Sequence, residues 1–297
     1  MDNKINLSLK KYIEDKKNFK LVKLDSNIFD YAYSGDKKAF ELLSKFEKIK
    51  DTLEPIIRVQ RDSVKAELLG SGVRVTSEQF PKIHKIVLEC SETLGIPVPE
   101  TFIHQGITIN AGTIGTNEES VIILNNGLVD QLDEDELRFV IGHECGHIQN
   151  GHVTYGFMAY IFTRILNGVI GLLAFPFVLA LNHWKRQAEI TCDRAGLICA
   201  KNLDKSKYAL VKCALGSKDL FKQINMEEYM TQLKDMKENT FKFYELFQSH
   251  PHIVKRVKSL EIYEKTENYQ SKKQNGAYNG ISITEADSEI ENILKIL

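Results

Sequence analysis

Ile141-Gly142-His143-Glu144-Cys145-Gly146-His147 is the stretch on which the reading of this 297-residue chain turns. It carries H-E-x-x-H inside a run with helical spacing. At about 100° per residue, positions four apart lie on one helix face, one turn from each other. His143 and His147 can therefore offer imidazole nitrogens to a single metal ion. Glu144 can reach a water on that ion but stands too close to His143 in the chain to be a ligand itself. This is the pattern of a zinc site in which the glutamate serves as general base for a metal-activated water. Two histidines leave such a site incomplete, so a third ligand must come from elsewhere.

His152 follows nine residues after His143, about 180° round a continuous helix, and is read as a supporting or structural residue, not a ligand. A metzincin would place Gly and His three and six residues after the second histidine. Asn150 and Val153 stand there instead, which excludes that class. A gluzincin takes Glu from a later helix, and Arg186-Gln187-Ala188-Glu189-Ile190-Thr191-Cys192-Asp193-Arg194-Ala195-Gly196 supplies a candidate. Glu189 and Asp193 share a face. Glu189 can complete the ligand set, while Asp193 accepts from the outward ring nitrogen of a ligand histidine and fixes its tautomer. Gly196 continues that face and admits another helix at close range. The competing reading is a surface helix with an ordinary acidic pair. The long apolar run just before it argues against full exposure.

With 43% hydrophobic and 27% charged residues, the chain has material for one large domain or two small ones. A formal net charge of −1, with no basic stripe or motif, excludes nucleic acid as a partner class. Five scattered cysteines (Cys90, Cys145, Cys192, Cys199, Cys213) read as reduced thiols of an intracellular protein. The first twenty residues carry charges every few positions and no apolar core, so a cleaved secretion signal is not expected. Apolar residues at helical spacing predict a helix from Lys37 to about Leu69, kinked or split at Pro55. Ser77 begins a second capped helix that Gly95 ends. Strands are expected at Val73-Arg74-Val75, 99–104, 108–111 and 120–124, directly upstream of the motif helix, which Asp133 or Asp135 caps. The expected division is a helical N-terminal arm (1–69), a central domain (70–262) and a loose polar tail (263–297) ending in a short amphipathic helix.

His143-Glu144-Cys145-Gly146-His147 with trailing His152, then Glu189-x-x-x-Asp193-x-x-Gly196, resembles the HtpX and CAAX-prenyl-protease type of gluzincin metallopeptidase. Asn110-Ala111-Gly112, Asn126-Gly127-Leu128 and Asp135-Glu136-Leu137 resemble that family's edge-strand region and entry into the motif helix. Ser249-His250-Pro251 with Arg256 resembles its downstream His-Pro element. The match runs in family order over roughly residues 70–262. Cys192 stands where the family usually has Ala, and many relatives carry several clear transmembrane helices. The resemblance implies an α+β, mainly helical, zincin-like fold with a small sheet packed against the H-E-x-x-H helix. It implies one Zn2+ per subunit on His143, His147 and Glu189, Glu144 as general base and Asp193 in support. His250, and after it Arg256, would steady the oxyanion. Asn110, Ala111 and Gly112 would bind a polypeptide substrate in extended form. The competing functions are a non-catalytic zinc-containing adaptor or chaperone and a hydrolase of a non-peptide amide.

The apolar run at 157–182 could span a membrane by length alone. If Glu189 shares a metal with His143 and His147, however, both ends of the run lie on one side of any membrane. Two crossings would need about 40 apolar residues. The run is therefore expected to be a helical hairpin, with Gly171 and Pro176 as candidate breaks, buried in protein or dipping into one leaflet. The location read from this is cytoplasmic, with association at the cytoplasmic face of a membrane through 157–182.

Overall fold

The computed structural model describes residues 30–44, 47–106, 110–116, 119–156, 169–238, 245, 248, 250–274 and 280–295. Helices α1 (Ser34–Ser44) and α2 (Glu47–Ser71) lead into strand β1 (Val73–Arg74) and helix α3 (Pro81–Leu94). Strands β2 (Glu100–His104), β3 (Ala111–Gly115) and β4 (Ser120–Asn125) follow, then the short α4 (Asn126–Gln131) and the motif helix α5 (Glu134–Gln149). Beyond it lie α6 (Val169–Ala200), α7 (Leu203–Leu215), α8 (Lys218–Phe221), α9 (Met226–Glu238), α10 (Ile253–Glu264), α11 (Glu267–Gln274) and α12 (Ile283–Leu294).

The strands form one mixed sheet in the order β1-β2-β4-β3. β2 and β4 run parallel, while β1 and β3 pair antiparallel on the outside. β3 is thus an edge strand, and it lies against α5. Phe102, Val121, Ile122 and Leu124 are buried on the inner strands, and Phe139, Ile141, Leu197, Ile198 and Leu260 join the helices above them in the core. The sheet-on-helix architecture expected from the sequence is the one observed.

Several local expectations shift. Pro81, not Ser77, starts α3, because its fixed φ and missing N–H suit the first helical position. Gly95 ends that helix with φ 64°, as expected. α2 runs through Pro55, which is exposed, so water can satisfy the carbonyl left without its helical donor. α6 likewise continues through Gly171 and Pro176, so neither breaks the apolar run. The first part of that run (157–168) lies outside the described residues, as do 1–29, 107–109 and Ser249. Among the described residues, no helix is long and apolar enough to cross a membrane.

The tail is not loose where it is described. Thr266, Tyr269, Ala286, Asp287 and Ile290 are buried, and α12 packs on α10 and α1. Arg194 of α6 donates to Asp287 Oδ1 at 2.5 Å, and the Ser34 backbone N–H donates to Asp287 Oδ2 at 2.9 Å. One buried carboxylate therefore ties α12 and the start of α1 to α6. Polar composition concealed this, because a single amphipathic face supplies Ala286 and Ile290.

Candidate metal centre

The centre sits where α5 and α6 cross. α5 begins with a capping box: the Asp133 side chain accepts from the Glu136 N–H, and the Glu136 carboxylate accepts from the Asp133 N–H. Lys212 of α7 reaches both Glu136 oxygens, at 2.6 and 2.7 Å, and locks this end in the core. Helix spacing would normally be set by side chains at 8–10 Å between axes. Here Gly142 and Gly146 remove them. A Cβ on Gly146 would come within 2.7 Å of the Ala195 Cβ, and one on Gly142 within 2.7 Å of the Cys199 Cβ. Gly196 meets the Phe139 carbonyl in the same way, at 2.6 Å. The two helices approach closely enough for short carboxylates on α6 to reach imidazoles on α5. Cys192 fits this seam as a small residue.

His143, His147 and Glu189 converge there, each at most partly exposed. The two Nε2 atoms are 3.2 Å apart. Glu189 Oε2 lies 3.6 Å from His143 Nε2, and Oε1 lies 3.5 Å from His147 Nε2. Donors bonded at about 2.0–2.1 Å to a tetrahedral ion stand about 3.3–3.4 Å from one another. The donor spacing therefore fits such an ion, as does a set of two imidazoles and a carboxylate. His143 Nδ1–H donates to Asp193 Oδ1 at 3.0 Å, which leaves the lone pair on Nε2, facing the other donors.

Arg256 of α10 is engaged by both acids. Its Nε and Nη2 donate to Asp193 at 2.8 and 2.6 Å, and Nη1 lies 3.0 Å from Glu189 Oε2. Burial alone would raise the Glu189 carboxyl. Its interactions with His250, Arg256, His143 and His147 outweigh it and hold that group well below the usual carboxylate range. Asp193 is lowered too, with burial opposed chiefly by Arg256. Burial likewise opposes protonation of the guanidinium, but Asp193 and Glu189 raise it further. Arg256 thus holds the two carboxylates, a role the sequence reading does not assign to it. His250 borders the same cleft, with Nε2 3.5 Å from Glu189 Oε1.

Glu144 is buried beside the histidines and accepts from the Thr113 hydroxyl at 2.6 Å. Sequence reasoning named Asn110, Ala111 and Gly112 but missed Thr113. β3 starts at Ala111, so alternation aims the Thr113 side chain at α5, and the sequence reading placed the strand too early to see this. Asn110 to Ile114 line one wall of a cleft of about 910 Å³ that also contains the histidines, with Leu210, Cys213 and Leu215 among its other lining residues. Among the described residues, no strand pairs with the outer edge of β3.

His152 is not where a continuous helix would carry it. α5 stops at Gln149 and the chain turns at Gly151 (φ 74°), which brings His152 Nδ1 to 3.3 Å from His147 Nδ1. The sequence reading makes His152 a supporting residue and not a ligand. The angular argument behind it fails, because the helix ends first.

The profile of Peptidase family M48 matches residues 77–264, more than half of the chain, and all the residues of this centre fall within it. The chain is 27% identical over 218 residues to the plastoglobule-localized metallopeptidase 48 of Arabidopsis thaliana, covering 71% of this chain and 62% of that protein. It is 27% identical over 214 residues to protease HtpX of Acinetobacter baumannii, covering 59% of this chain and 68% of that one. A protease HtpX homolog of Dictyoglomus thermophilum is 36% identical over 98 residues, 32% of each chain. The match thus spans somewhat less than two thirds of the plastoglobule protein. With its H-E-x-x-H helix, later glutamate and small mixed sheet, the chain belongs to peptidase family M48.

Proposed function

We propose that this protein is a zinc-dependent endopeptidase acting on extended polypeptide. The observation that carries the reading is the convergence of donors from three residues, with contacts of 3.2–3.6 Å, and Glu144 buried beside them next to the edge strand β3. His143, His147 and Glu189 would hold the ion, which when bound supplies Lewis acidity: it acidifies a water and polarises the scissile carbonyl.

The chain's own residues do the rest. Glu144 takes the proton of the attacking water and returns it to the leaving amine. Thr113 holds that carboxylate in place meanwhile, through the hydrogen bond at 2.6 Å. The backbone of 110–114 pairs with the substrate as an added strand, so affinity comes from main-chain hydrogen bonds and sequence selectivity is weak. His250, at the cleft, donates to the developing oxyanion. Asp193 and Arg256 keep His143 and Glu189 oriented.

The decisive experiment is zinc quantification with casein cleavage, comparing the wild type with Glu144→Gln. The expected result is one zinc in each and a rate lower by about 10²–10⁴-fold in the variant. An active variant would sink the general-base assignment.

A further inference from the structure

The second ligand histidine is supported from outside the family's matched region. Asp36 lies in the first turn of α1 and is 3% exposed. It accepts from Trp184 Nε1–H at 3.1 Å and from the Thr191 hydroxyl at 2.7 Å, and its Oδ2 is 3.0 Å from His152 Nε2. The Thr191 hydroxyl itself accepts from the Tyr33 N–H at 3.1 Å, so its proton points to Asp36. A carboxylate can only accept. His152 Nε2 must therefore carry a proton, and a ring with that one proton has its lone pair on Nδ1. That lone pair faces His147 Nδ1 at 3.3 Å, so His147 donates. The remaining nitrogen of His147, Nε2, is left with the lone pair directed at Glu189 and His143.

We propose that Asp36 and His152 are positioning residues that together set the tautomer and orientation of His147 as a metal ligand. Asp193 does this for His143 directly, whereas Asp36 does it through an intervening imidazole. Packing fixes the relay: the His152 ring meets His147 edge-on, with centroids 5.4 Å apart, and Trp184 at 5.5 Å. The Cys192 thiol, 3.5 Å from His152 Nδ1, adds a second weak donor to the same lone pair and leaves the polarity unchanged. Tyr31 fastens the segment carrying Asp36: its hydroxyl donates to Gln149 at the end of α5, and its carbonyl accepts from Arg194 at 2.9 Å. The inference rests on the zinc reading proposed above.

The test combines nitrogen NMR of the histidine-labelled, zinc-loaded full chain with zinc affinity by chelator competition. In the wild type, His147 Nδ1 and His152 Nε2 should be the protonated nitrogens. Asp36→Asn places one amide donor where the carboxylate has none, so it either inverts His152 or meets the Trp184 N–H. His152→Phe removes the acceptor. Each should weaken zinc by about 10–100-fold. His152→Gln offers an acceptor and a donor in the original order and should recover most of that loss, which a purely structural role would not predict. A proton on His152 Nδ1, or zinc affinity within about threefold of wild type in folded Asp36→Asn and His152→Phe, would overturn the proposal. Binding of a second zinc, through His147, His152 and Cys192, would overturn it as well, because His152 would then be a ligand. If both variants fail to fold, the wild-type spectrum alone decides. A wild type that takes up no zinc under any condition would instead sink the metal centre on which the relay depends.

Discussion

His143 and His147 are one turn apart on one helix, yet the chain supports them from different places. His143 leans directly on Asp193, which Arg256 grips with two hydrogen bonds, and all three residues lie within the family-matched stretch. His147 leans on His152 and, through it, on Asp36, which precedes that stretch by some forty residues. The first arrangement is a charged network, buried and closed. The second runs through an imidazole and depends on how the segment carrying Tyr31 and Asp36 docks. The lesson is that a metal ligand's orientation can be encoded far from the motif that names it, wherever the fold delivers an acceptor of the right polarity.

The sharpest way to break the comparison is to remove what both halves share. Glu189→Ala deletes the carboxylate lying 3.5–3.6 Å from both Nε2 atoms and leaves Arg256 with one acid fewer. Zinc affinity should fall by more than the 10–100-fold typical of an outer partner. Metal content unchanged at one equivalent would point to another ligand. Asp193→Ala comes next, with an expected loss of about 10–100-fold in zinc affinity or activity. It should exceed that of Asp36→Asn, because it also strands part of a buried guanidinium. Equal losses in chelator competition would show that the Arg256 network adds nothing to the His143 side.

The sequence made one half of this legible and hid the other. H-E-x-x-H and E-x-x-x-D are periodic on helices, so the candidate ligands, the candidate base and Asp193 could be picked out by their spacing. Asp36 has no such signature: it is one acidic residue among many in a polar N-terminal region, and only tertiary packing brings it to His152. Thr113 was hidden by a strand boundary misplaced by a few residues, and the packed tail by its polarity. Arg256 was found, but its partners could not be, since a guanidinium suits an oxyanion as well as two carboxylates.

Acid should separate the contributions by sign. In the metal-free chain burial opposes protonation of His147, but Glu189 and nearby acids outweigh it and raise its pKa above the ordinary 6.5. Its contribution to stability is present below that ordinary value and is lost as pH rises through the raised one. Asp193 and Glu189 are lowered, so theirs is present above about pH 4 and is lost as pH falls below it. Zinc must displace the His147 proton. The rise in unfolding temperature on adding zinc should therefore shrink as pH is lowered from 8 towards 5. A shift independent of pH over that range would mean that His147 is not among the ligands.

The smallest expected effect tests whether the helix seam treats the two histidines alike. Gly146 precedes His147 and Gly142 precedes His143, and a Cβ added to either would come within 2.7 Å of a Cβ on α6. Alanine at either site should gain up to about 1 kcal/mol of helix propensity and lose about 1–3 kcal/mol to overpacking. The net cost, read in urea unfolding, is a modest destabilisation. The added methyls differ in what they push. At Gly146 the neighbours are the Ala195 Cβ and, at 3.2 Å, the Cys192 Cα, so strain passes to the backbone between Glu189 and Asp193. At Gly142 the neighbours are the Cys199 Cβ and Sγ and, at 3.1 Å, the Gly196 Cα, so strain passes to α6 backbone beyond Asp193. Gly146→Ala should therefore weaken zinc more than Gly142→Ala for the same loss of stability. If Gly142→Ala proves the more damaging to zinc, the seam does not set the reach of Glu189, and the close crossing of the helices serves packing alone.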